Sequence, residues 1–121
     1  MSFDYVACIE MAIFDMTSLT GTFQAVNGAA QQVGTSSVGF EDNIKIMQIY
    51  NDGDTGITLS FDSVINHLYI PAKGTLIVDF QANHQAAGPC GAGKKNGRKG
   101  QLIFGKGTAS SAGNLYISGY R

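Results

Sequence analysis

Between residues 44 and 80, turn residues cut the chain into pieces of strand length, and this spacing limits the possible folds more than any other feature. Residues 44–50, 57–62, 67–70 and 75–80 are rich in Ile, Leu, Val, Phe, Tyr and Thr. Asn51-Asp52-Gly53-Asp54-Thr55-Gly56 and Pro71-Ala72-Lys73-Gly74 stand between them. A helix needs about ten uninterrupted residues, so the segment reads as four antiparallel strands. Ile57, Leu59 and Phe61 alternate with Thr58, Ser60 and Asp62, and Leu76, Val78 and Phe80 alternate with Thr75, Ile77 and Asp79. That period of two marks strands with one buried face. Residues 44–50 differ, because Ile44, Ile46 and Tyr50 fall on one face while Met47 and Ile49 fall on the other. This predicts a central strand covered on both sides. A sheet with a buried face needs a second layer, so the expected fold class is all-β, an antiparallel β-sandwich that is Ig-like or jelly-roll-like.

The same pattern extends outward from this centre. Residues 19–26 alternate before the turn pair Asn27-Gly28, residues 29–40 are small and polar without periodicity, and residues 101–104 and 115–118 resume the sheet. The expected count is about seven strands. Residues 1–18 form an N-terminal arm or a first strand. Val6, Ile9, Ile13 and Met16 have helical spacing, whereas the Phe and Ile content allows a strand or an extended arm. Residues 19–121 then make a single sandwich domain, and 121 residues suffice to bury a core without disulfides or metals. Residues 81–100 interrupt it with a Gly-rich loop carrying Lys94, Lys95, Arg98 and Lys99, half of the chain's eight basic residues. Loops of that length are usually functional or poorly ordered.

Only 14% of the residues are charged, well below the usual quarter, and the formal net charge is −1. No global field therefore draws the chain to nucleic acid or anionic lipid. A surface so poor in charge suits an assembly better than an isolated molecule. Two cysteines, Cys8 and Cys90, cannot define a disulfide framework and read as thiols of a reducing compartment. The first residues are acidic and the apolar run is broken by Glu10 and Asp15, so no secretion signal is expected. No window reaches the length of a membrane span.

Constellations that could carry chemistry fail on inspection. Gly88-Pro89-Cys90-Gly91-Ala92-Gly93-Lys94-Lys95 fits seven positions of the P-loop pattern, but Lys95 replaces the hydroxyl that would hold Mg²⁺ and no βαβ unit surrounds it. Asn51, Asp52, Asp54 and Asp62 offer oxygen ligands for calcium, yet their spacing is not that of an EF-hand and turn chemistry accounts for them. His67 is expected to cap or pack within the sheet. Cys90 and His84 share a loop, which rarely holds a nucleophile and base in register. The chain is accordingly read as no enzyme, with no catalytic, cofactor-binding or metal-binding residue. Tyr5, Tyr50, Tyr69, Tyr116 and Tyr120 could stack on a sugar, although core and interface packing explains them as well. The basic loop lacks aromatic residues to stack bases, so nucleic acid is not expected as a partner. The candidate interface residues are Phe3, Tyr5, Ile9 and Ile13 of the arm with Lys94, Lys95, Arg98 and Lys99 of the loop.

Several segments together resemble small virion structural proteins of tailed bacteriophages. They are Leu19-Thr20-Gly21-Thr22-Phe23-Gln24-Ala25-Val26, Ile46-Met47-Gln48-Ile49-Tyr50-Asn51-Asp52, Ile57-Thr58-Leu59-Ser60-Phe61-Asp62, Asn66-His67-Leu68-Tyr69-Ile70-Pro71-Ala72 and Leu115-Tyr116-Ile117-Ser118-Gly119-Tyr120. The family pattern departs here at Asn66, where Asp is frequent, and at Lys73 before Gly74. The resemblance implies a β-sandwich component of a phage particle, made in the host cytoplasm and resident in the virion, and transfers no catalytic residue. Its leading role is capsid decoration, as a cement or head auxiliary protein bound to the major capsid protein or other virion proteins, homo-oligomeric or lattice-bound. A neck or tail adaptor or collar subunit is the alternative within that class. A carbohydrate-binding module for host adhesion, with a Tyr-lined groove, is the alternative outside it. Deleting residues 1–16 or changing the four basic loop residues to Ser is expected to weaken incorporation while leaving the fold intact.

Overall fold

The structure is a computed structural model that describes residues 9–28, 30–32, 39–40, 43–80 and 100–120. Eight strands run through them: β1 (Ile9–Asp15), β2 (Gln24–Ala25), β3 (Ile46–Asn51), β4 (Ile57–Ser60), β5 (Leu68–Ile70), β6 (Thr75–Asp79), β7 (Phe104–Lys106) and β8 (Asn114–Tyr120). The count is eight rather than about seven because residues 9–15 are a strand. Their outward side chains are as apolar as their inward ones, so the period of two is invisible in the sequence. A 3-10 turn, Met16–Ser18, follows β1, and Asp15 caps it by accepting from Thr17 N at 2.9 Å and Thr17 Oγ1 at 2.7 Å.

The strands form two four-stranded sheets in the orders β1-β8-β3-β6 and β2-β7-β4-β5, with every pair antiparallel. Except at the β4–β5 hairpin, consecutive strands alternate between the two sheets. This is the double Greek key of a jelly roll, which decides between the two sandwich types expected. Because β1 is hydrogen-bonded to β8 over its whole length, from Ile9↔Tyr120 to Asp15↔Asn114, removing residues 1–16 would strip one edge of the first sheet. It would also take Phe14 and Met16 out of the core. The expectation that this deletion spares the fold is therefore corrected.

The core lies between the sheets. Phe14, Met47, Ile49, Leu115 and Ile117 point inward from the first sheet, and Ile57, Leu59 and Ile70 from the second, with Met16, Val26, Ile44, Phe80 and Ile103 filling the ends. The connections are held by side chains. Buried Asn51 accepts from Gly53 N at 2.8 Å and donates Nδ2 to the carbonyls of Thr55 at 2.9 Å, Pro71 at 3.2 Å and Ile70 at 3.4 Å. One amide thus ties the β3–β4 turn to the β5–β6 turn. Asn27, also buried, accepts from Ile103 N at 2.7 Å and donates to the Gln101 carbonyl at 3.2 Å, fixing the lead into β7.

Candidate protein interface

The first sheet leaves an apolar outer face. Side chains that alternate with the core residues form three rows across its strands, set by the pairing register. Met11, Ser118, Gln48 and Ile77 make the middle row; Ile13, Tyr116, Tyr50 and Thr75 lie on one side of it. On the other side stand Tyr120, Ile46 and Asp79, in register with Ile9. Asp79, at a corner, is the one charged residue in the three rows. Ile77 is 65% exposed, Met11 and Tyr120 37% and Ile46 36%, so these apolar groups meet solvent. The Tyr50 and Tyr116 rings stack with centroids 6.2 Å apart, which fixes a flat aromatic patch on the face.

A polar margin closes the end of the face where β3 stops. Tyr50 Oη donates to Asp52 Oδ1 at 3.2 Å, and Asn114 Nδ2 donates to Tyr116 Oη at 3.4 Å. Lys73 Nζ donates to the Asp52 carbonyl at 2.8 Å and to its carboxylate at 3.2 Å. Lys73 itself sits at φ 60°, a left-handed conformation in the turn before β6, where Gly74 N donates to the Pro71 carbonyl at 3.0 Å. Apolar and aromatic groups set around the Ser118–Gln48 pair, with a polar margin at one end, make a surface of the mixed kind that proteins use for contacts.

The sequence expectation for residues 44–50 is met by half. β3 is central, between β8 and β6, and buries Met47 and Ile49, but the face bearing Ile46 and Tyr50 is exposed or half-buried. The apolar character on its second side is thus unspent within the described chain.

The other candidate features separate in space. Asn51 ties two turns, while Asp54 accepts from Ser111 N at 3.0 Å and from Ser111 Oγ, bonds that lower its pKa. Asp62 is committed to its own loop, accepting from Val64 N and Ile65 N at 2.9 Å and from Ser60 Oγ at 2.8 Å. The Ile65 and Val64 N–H groups, then the Ser60 hydroxyl, hold its carboxyl down to about 2. His67 Nδ1 accepts from Phe61 N at 3.1 Å, which closes the same loop. Ser60, Asp62 and His67 are therefore neighbours joined as a loop lock, with the carboxylate on the serine rather than on the imidazole. Among the described residues no group of three His, Cys, Asp or Glu side chains could hold a metal ion.

The four tyrosines among the described residues do not share a groove. Tyr50, Tyr116 and Tyr120 belong to the first sheet and Tyr69 to the second, on β5. A shallow, open groove of about 400 Å³ lies beside the second sheet, between the loop residues Gly21, Thr22, Phe23, Ser63 and Val64 and Lys106 of β7, with the Lys106 ammonium 4.5 Å from the Phe23 ring centre. Of the interface residues expected from sequence, Ile13 stands half-buried on the first sheet's outer face and the Ile9 backbone pairs with Tyr120. Phe3, Tyr5, Lys94, Lys95, Arg98 and Lys99 lie outside the described residues, as do Cys8, Cys90, His84 and the P-loop-like run. Met11, Ile46, Gln48, Ile77 and Ser118 were missed; the doubly apolar pattern of residues 44–50 was a signal for Ile46 alone, since the others join it only through strand pairing.

The chain matches no protein-family model, no curated protein and no solved structure.

Proposed function

We propose that this protein is a non-enzymatic structural component of a tailed-phage particle, with capsid decoration as its role. The observation that carries the reading is the outer face of the β1-β8-β3-β6 sheet, apolar in a chain otherwise poor in charge. A surface of that kind is suited to protein contacts, and many weak contacts on a symmetric shell act together. The jelly-roll topology agrees with this reading, since viral capsid domains use it, although lectins and cupins use it as well. Quantitative mass spectrometry of purified particles is the test. A copy number comparable with that of the major capsid protein supports decoration of the shell. A handful of copies moves the protein to the neck or tail, and its absence from particles overturns the reading. Changing Lys94, Lys95, Arg98 and Lys99 to Ser, or deleting residues 1–8 alone, then tests whether loop or arm makes the contact with the shell.

A further inference from the structure

We infer that the outer face of the β1-β8-β3-β6 sheet is occupied by the same face of a second copy of this chain, related by a two-fold axis parallel to the strands. The inference rests on the reading of that face as a protein contact and names its occupant. A two-fold contact must be self-complementary, each residue meeting the mate of the one it faces. The register meets this condition. An axis between β8 and β3 exchanges β1 with β6 and β8 with β3, so it sets Met11 opposite the partner's Ile77 and Tyr116 opposite the partner's Tyr50. Tyr120 then faces the partner's Ile46, and Ser118 faces the partner's Gln48. Met11 thus meets Ile77, rings meet rings, and the amide and hydroxyl near the axis meet each other, while Ile13 falls opposite the partner's Thr75.

Charge points the same way, and area sets how strong the contact is. The rows carry no charge except Asp79 at a corner, which the axis sets opposite the partner's Ile9 at the edge of the pair and away from its own mate. A chemically different partner would have few ionic or directional groups to recognise here, whereas two copies need none. Four strands about 4.8 Å apart and about six residues long make a face of roughly 400 Å², about half of what each partner in a standard complex buries. The pair is accordingly weak, dissociating at tens of micromolar or above, and is reinforced where copies are held side by side.

Sedimentation equilibrium of the full chain up to about 1 mM tests this. Wild type is expected to pass from one copy to two as concentration rises. Ile77→Lys and, separately, Gln48→Glu are expected to weaken pairing at least tenfold, while Val64→Lys, on a loop of the other layer, leaves it unchanged. Thermal unfolding verifies that each variant is folded. A wild type that stays single at the highest concentration overturns the inference, as does a complex with an odd number of copies or one indifferent to both face variants. Pairs that form as expected in a protein absent from purified particles would remove the decoration reading and leave this one standing.

Discussion

The strands of the first sheet run for five to seven residues, and those of the second for two to four. The first is held by its backbone ladder, so its outward side chains are free to be apolar. The second has too few ladder bonds to define itself and depends on side chains that bond backbone at its ends: Asn27 and Asn51, Gln24 with Thr20, and the lock of Ser60, Asp62 and His67. Two layers of one sandwich therefore divide the work. One presents a surface, and the other is held in shape by polar side chains at its ends, Asn51 of β3 among them.

The sharpest way to break this comparison is to remove a buried amide. Asn51→Ala strands the Gly53 N–H and several turn carbonyls, and chemical denaturation is expected to show a loss of about 3 kcal/mol. Asn27→Ala should fall close behind. A loss below about 1 kcal/mol in both would mean that the short strands need no such ties. In the first sheet the corresponding weakness is packing. A Cβ at Gly119 would sit 2.8 Å from Ile44 Cδ1, the movable end of a side chain. Gly119→Ala is therefore expected to cost about 1–2 kcal/mol.

A smaller effect depends on pH. Bonds in the folded loop pull the Asp62 carboxyl down to about 2. Its contribution is complete above the unfolded carboxyl's pKa of about 4 and is lost as pH falls through about 2. The difference in melting temperature between wild type and Asp62→Ala should thus narrow from pH 4 to pH 2, and a constant gap would show that the lock does not act through its charge. Smallest of all, Lys73→Ala removes an exposed ion pair and should change stability by no more than about 0.5 kcal/mol, measured the same way.

The four strands between residues 46 and 79 were legible because turn residues bound each of them and two alternate cleanly. β1 was not, and for the same reason the outer face was not. Where inward Ala12 and Phe14 are flanked by outward Met11 and Ile13, alternation carries no contrast and helical spacing fits as well. The candidate interface drawn from the arm and loop brought in Ile13 alone among residues whose side chains are described. What it lacked was register: Met11, Ile77, Tyr116 and Ile46 come from four separate strands and become neighbours only through pairing.

β8, last of the strands in chain order, lies between β1 and β3. During synthesis β1 emerges before the other described strands, yet β8, the strand it pairs with among the described residues, is 99 residues or more further along the chain, from Asp15↔Asn114 outward. Until residue 120 has left the ribosome, the β8-facing edges of β1 and β3 wait unpaired, although residues 31–32 can already bridge the other edge of β1 and β6 that of β3. Closing so long a loop is slow, and the interval exposes both edges to other nascent chains. The face that would later join two finished copies is completed by the same final strand, so assembly cannot begin before folding is done.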